Sequence, residues 1–127
     1  MYFITANCHG FITSAVYKDR LLLEEFESLV IELNSHVSNN RLFVLTDLRD
    51  AKMCTNSDEI YAMEKINRLN RTPGITIYEA ILVRGVLEQS LSSFFNKTRV
   101  SGDHTIKVFT SESDAISWLR SYQQVIY

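Results

Sequence analysis

Glycine is scarce in this chain and never clustered. Gly10, Gly74, Gly85 and Gly102 stand far apart, so no glycine-rich loop exists to cradle a phosphate or a dinucleotide, and no cofactor is expected. Cysteine is scarcer. Cys8 and Cys54 alone cannot build a disulfide framework, and they fit none of the paired spacings that ligate zinc; they are expected to be reduced thiols. Charge of one sign is also lacking. Thirteen Lys and Arg against fifteen Asp and Glu leave a formal charge of −2, without the clustered basic surface that displaces counterions from a nucleic-acid backbone. No apolar run approaches the length needed to cross a bilayer, and the first residues, MYFITANCHGFIT, carry neither a basic leader nor a long apolar core. The expected location is therefore cytoplasmic, with no membrane insertion and no nucleic-acid partner.

What is present is an ordinary globular composition. The 127 residues are 46% hydrophobic and 22% charged, enough for one domain over 1–127 that buries roughly two-thirds of its unfolded surface. No repeat, linker or low-complexity segment divides it.

The pattern along the chain predicts strands alternating with helices. Residues 2–6 read as a short strand, turned at Asn7, Cys8, His9 and Gly10 into a second short piece over 11–13. From about Ser14 the period becomes helical. Leu22, Phe26, Leu29, Val30, Leu33 and Val37 line one side of a long amphipathic helix, which ends in the polar run Ser38, Asn39 and Asn40. Residues 42–48 are almost continuously apolar, as expected of a central strand covered on both faces. Asn56 or Ser57 can cap the following helix, with Ile60, Met63, Ile66 and Leu69 inside, and Thr72, Pro73 and Gly74 stopping it. A buried strand over 75–83, a helix carrying Leu87, Leu91, Phe94 and Phe95, and a strand over 106–109 come next. The final helix opens on Ser111 with Asp114 three residues on, a capping-box-like start, and turns Ala115, Ile116, Leu119 and Tyr122 inward. The expected fold class is α/β: a mixed, mostly parallel sheet of about five strands flanked by about four helices.

Ligands of open α/β sheets gather beyond the carboxyl ends of parallel strands, which puts Asp47 and Asp50 at a plausible address. Phosphoacceptor chemistry of the response-regulator kind needs further acids after the first strand and a lysine beyond the last. Here the first strand ends in Ala6, Asn7 and Cys8, and Lys107 falls near the start of the last one. A haloacid-dehalogenase-like phosphatase needs aspartates two apart, and these are three apart. Cys8 beside His9 suggests an activated thiolate, but neighbours on a strand or tight turn point to different sides, and a loop phosphatase wants an arginine where Ser14 stands. His36 and His104 occupy expected surface or loop positions without ligand spacing, so no metal site is expected. Lys65, Arg68 and Arg71 form a basic row that complements a helix C-terminus. Val125, Ile126 and Tyr127 form an apolar tail that either folds back or touches a second chain, leaving both monomer and homodimer open. No catalytic residue is assigned.

Three stretches carry a family resemblance. Gly10-Phe11-Ile12-Thr13 leads towards the first helix, 42–47 forms the central strand, and the ending runs Val108-Phe109-Thr110-Ser111-Glu112-Ser113-Asp114-Ala115-Ile116-Ser117-Trp118-Leu119. In these the chain resembles the SpoIIAA-like proteins of the STAS superfamily, which share the fold of anti-sigma-factor antagonists. The resemblance implies a non-enzymatic regulatory domain that binds a partner protein or a small ligand. In antagonists the aspartate ending the central strand is followed by serines and a glycine. Asp47 matches the aspartate, but Leu48, Arg49 and Asp50 follow it, so the phosphoacceptor serine is missing from its place. The implied candidates are then a partner-binding edge at Asp47, Arg49, Asp50 and Met53, and phosphorylation at Thr55 or Ser57, where a helix start favours a phosphate. A small apolar ligand held between helix and sheet against Leu87, Leu91, Phe94 and Phe95 is the alternative.

Overall fold

The computed structural model describes residues 2–8, 12–20, 23–37, 40–52, 58, 61–62, 65–66, 69–70, 73–84 and 104–123. Five strands, β1 (Tyr2–Cys8), β2 (Ile12–Arg20), β3 (Arg41–Lys52), β4 (Thr76–Leu82) and β5 (His104–Phe109), lie side by side in chain order. β1 runs antiparallel to β2, and every later pair is parallel. The mixed, mostly parallel sheet expected from the sequence is thus present.

Two helices have defined limits, α1 (Leu23–Asn34) and α2 (Glu112–Gln123). Positions 58, 61–62, 65–66 and 69 are helical too, and Asn70 N donates to Ile66 O at 3.1 Å, one helical turn back. The expected count of about four helices is not reproduced among the described residues, and the helix expected around Leu87 to Phe95 lies outside them.

The first long helix does not begin near Ser14. Residues 12–20 are strand, because Ala15 and Tyr17 are buried on one face while Ser14 and Val16 turn to the other. That alternation is a period of two, and the helical period starts only at Leu23, with Phe26, Leu29, Val30 and Leu33 facing the sheet.

The sheet separates two cores. On one side α1 packs Leu29 and Val30 onto Ala15, Val44, Ile77 and Ile81, joined by Ile66. On the other, Ala115 and Leu119 of α2 seal Ile12, Phe43, Leu45 and Leu82. Each fully buried leucine contributes about 1.5–3 kcal/mol of transfer free energy. β3 supplies both layers by alternation, which accounts for its nearly continuous apolar sequence.

Both ends of α2 are held, the first by the group its sequence predicts and the second by a distant residue. At its start Asp114 N donates to Ser111 Oγ at 3.4 Å, a long capping bond. At its end Arg41 Nη2 donates to the Tyr122 carbonyl at 2.8 Å, so a cation meets the negative pole of the helix. The Arg41 guanidinium also lies over the stacked rings of Phe43 and Tyr78, 5.0 and 5.3 Å from their centroids. Face and direction of α2 are thereby fixed.

Candidate functional site

The C-terminal edge of the parallel strands is where charge collects. Asp47 pairs with Leu82, the last residue of β4, which in turn pairs with Phe109, the last of β5. β3 continues beyond this level beside β2. Val16 is opposite Asp47 and Lys18 opposite Asp50, so β3 carries one residue more than β2 and bulges there. The bulge spans Leu48 and Arg49, beside the carboxylate.

Asp47 and Arg49 form a closed ion pair. Oδ1 accepts the Arg49 backbone amide and Nε, each at 3.0 Å, and Oδ2 accepts Nη2 at 2.8 Å. Burial by itself pushes the Asp47 carboxyl up, but the Arg49 side-chain bonds, its amide and the positive charges of Arg49 and Arg84 outweigh it and hold the group below the ordinary carboxylate range. The same bonds to Asp47 keep the Arg49 guanidinium more firmly protonated.

Two further residues complete the edge. Arg49 Nη2 reaches Glu112 Oε1 at 3.3 Å, linking the end of β3 to the first turn of α2. Arg84, just past β4, donates from Nε to the Arg49 carbonyl at 2.9 Å and from Nη2 to Asp50 Oδ1 at 3.1 Å. Asp50 and Arg84 have side chains 61% and 66% exposed, so this outer pair faces solvent. Asp47, Arg49 and Asp50 are therefore brought together as the sequence suggests. Met53, Thr55, Ser57, Leu87, Leu91, Phe94 and Phe95 lie outside the described residues, as do His9 and Cys54. Cys8 ends β1.

Glu112 and Arg84 escape the sequence reading. Glu112 reads as a helix-start acid, and its partner is 63 residues away. Arg84 does leave a signal, since a cation directly follows Val83, the buried apolar residue that comes straight after β4.

Two expectations need correction. His104 is not at the surface: it begins β5 and its side chain is 4% exposed. Its Nε2 lies 2.9 Å from Glu79 Oε1, and Thr46 Oγ1 donates to Glu79 Oε2 at 2.6 Å. β5 therefore begins two residues before the apolar run that betrays it, because a buried polar contact, not hydrophobicity, holds His104 inside. The same shift moves Lys107 from the expected start of its strand to mid-strand, opposite Ala80, with Nζ 5.4 Å from the Phe109 ring centroid. The signal for the cluster is Glu79, a carboxylate in the alternating series Ile75, Ile77, Ile81, Val83 that faces α1.

His36 is half-buried just after α1, and its amide donates to Leu33 O at 3.0 Å. Lys65 is exposed at a helical position, while Arg68 and Arg71 lie outside the described residues. Among the described residues no group of three or more His, Cys, Asp or Glu side chains could hold a metal ion. No described helix is long and apolar enough to cross a membrane.

No family model matches the chain, and no curated protein does. Among solved structures, the crystal structure of an uncharacterised DUF3478-family protein from Shewanella loihica PV-4, described as having a SpoIIAA-like fold, superposes with a TM-score of 0.65. The match is 18% identical and covers 94% of this chain and 92% of that one. Identity at that level speaks for architecture alone. The sheet order, the antiparallel strand at its edge and the helices on both faces accordingly make this a SpoIIAA-like fold.

Proposed function

We propose that the chain is a non-enzymatic interaction domain that binds a partner protein at the C-terminal edge of its parallel strands, through Asp47, Arg49, Asp50, Arg84 and Glu112. The observation that carries this reading is the Arg49 guanidinium, held at once by Asp47 on β3 and Glu112 on α2. A cation fixed by two elements is a preorganised recognition group, with less side-chain freedom to lose on binding. The exposed Arg84–Asp50 pair extends the same surface. The geometry also weighs against catalysis at Asp47, whose two oxygens are occupied by Arg49 and whose charge is stabilised, the opposite of what a general base near neutrality requires. With Leu48, Arg49 and Asp50 after the strand-end aspartate, recognition at this edge operates without a phosphoserine there. The apolar-carrier alternative rests on Leu87, Leu91, Phe94 and Phe95, and nothing among the described residues favours it.

Site-specific photo-crosslinking in the native host tests the proposal, with the reactive residue placed at Asp50 and, as control, at Glu27 on the exposed side of α1. The expected result is a discrete protein adduct from Asp50 alone, lost on Arg49→Glu or Arg84→Glu in chains that keep the native circular dichroism. Adducts indifferent to position, or to these charges, would overturn it.

A further inference from the structure

Among the described strands the sheet ends on β1, whose own residues include no charge and no proline. We infer that β1 pairs with β1 of a second copy of this chain, antiparallel, about a two-fold axis at Ile4. One side of β1 is bonded to β2, and no described strand pairs with the other. Edge strands are commonly protected from further pairing by charges or proline. β1, YFITANC, contains neither. Phe3 is 50% exposed, and Thr5 and Ala6 are exposed as well, whereas Tyr2 and Ile4 pack partly against the α1-side core.

A second copy fits this edge better than a charged partner. An uncharged strand can meet its own image without like-charge repulsion, and a two-fold contact closes on itself. Pairing of β1 with β5 of another copy would instead be head-to-tail and open-ended. The register is set by the regular part of the strand, since the pairing with β2 becomes irregular between Thr5 and Cys8. Centring on Ile4 places Phe3 opposite Thr5 of the second copy on one face, and Tyr2 opposite Ala6 on the other. Lys18 on β2 has its Nζ 5.6 Å from the Phe3 ring centroid. Tyr2 pairs with Tyr17, so Lys18 sits past the N-terminal end of β1. The two-fold then sends the two Lys18 backbones towards opposite ends of the ladder, roughly 20 Å apart at 3.4 Å per residue, while each ammonium stays over the Phe3 ring of its own chain.

Sedimentation velocity and amide hydrogen exchange of the full chain, from low to high micromolar, test the inference. A monomer–dimer equilibrium is expected, with exchange in residues 2–6 slowing as dimer accumulates. Thr5→Lys should weaken association by roughly tenfold, since each dimer carries that pair twice. Adding Phe3→Glu to Thr5→Lys sets opposite charges across the ladder in this register and should restore it. If Thr5→Lys proves unfolded by circular dichroism, exchange in the unaltered chain decides. A monomer at every concentration, a dimer whose β1 amides exchange freely, or open-ended growth would each overturn the proposal.

Discussion

Asp47 and Arg49 stand two residues apart on β3 and close on each other through three hydrogen bonds, one from the backbone amide and two from the guanidinium. The arrangement converts the end of a buried strand into a rigid charged corner. An ordinary turn there would leave the carboxylate free to rotate into solvent. Here its position is fixed by its own strand, and Arg49 passes that constraint on to α2 through Glu112.

Stability should follow the charge of this carboxylate. The folded-state value of Asp47 is depressed, so the pair contributes fully above the ordinary carboxylate range and is lost as pH falls through the depressed value. Arg49 is partly exposed, and solvent screening limits the pair to about 1 kcal/mol. Arg49→Ala is expected to lower unfolding free energy by about that amount near neutrality, with the gap to wild type closing in acid. Urea titrations across the acid range measure it, and a gap that stays constant or widens in acid would contradict the assignment.

The buried polar row across three strands makes a different prediction. Glu79 receives Thr46 Oγ1 at 2.6 Å and lies 2.9 Å from His104 Nε2, on the face packed beneath α1. Thr46→Val keeps the shape and removes the donor, at an expected cost of about 1–2 kcal/mol. In a Glu79→Gln background the same change should cost less, with a coupling of at least about 0.5 kcal/mol in a double-mutant cycle. Strict additivity would mean that the two side chains do not interact in solution.

Much of the fold is legible in the sequence because hydrophobic periodicity is a local property. The strand at 42–48 and the inward face of α2 at Ala115 and Leu119 follow from it directly. Residues 14–20 mislead for the same reason: a strand with apolar groups on both faces, Ala15 and Tyr17 one way and Val16 the other, blurs its period. The candidate edge is only half legible. Asp47, Arg49 and Asp50 are adjacent in sequence, whereas Arg84 and Glu112 join them through the order of β3, β4 and α2, which no local pattern encodes. His104 is illegible by hydropathy because its burial depends on a carboxylate 25 residues away.

Gly74 offers a test of the backbone alone. It has a φ of +83°, just before β4, and an added Cβ would meet nothing within 4 Å. Gly74→Ala should therefore destabilise through the left-handed conformation and not through a clash, by about 1–2 kcal/mol. Urea unfolding measures the loss. Gly74→Asn should recover part of it, since asparagine tolerates this region better; equal losses for both variants would point to a steric cause instead.

Tyr17 should report the integrity of the α1-side core at high pH. Its ring is 3% exposed, and burial, followed by the negative charge of Glu79, raises its phenol well above the ordinary value. A raised acid favours its protonated form in the folded state, so its contribution is complete below the unfolded value near 10 and is lost as pH rises towards the folded one. Of the six tyrosines, Tyr17 should then ionise late, as the fold gives way. Absorbance titration followed beside far-ultraviolet circular dichroism is the measurement. Tyr17→Phe should remove the late phenolate and flatten the alkaline decline in stability. If all the phenols instead titrate while the circular dichroism stays native, Tyr17 is open to water and α1 packs only loosely over β2.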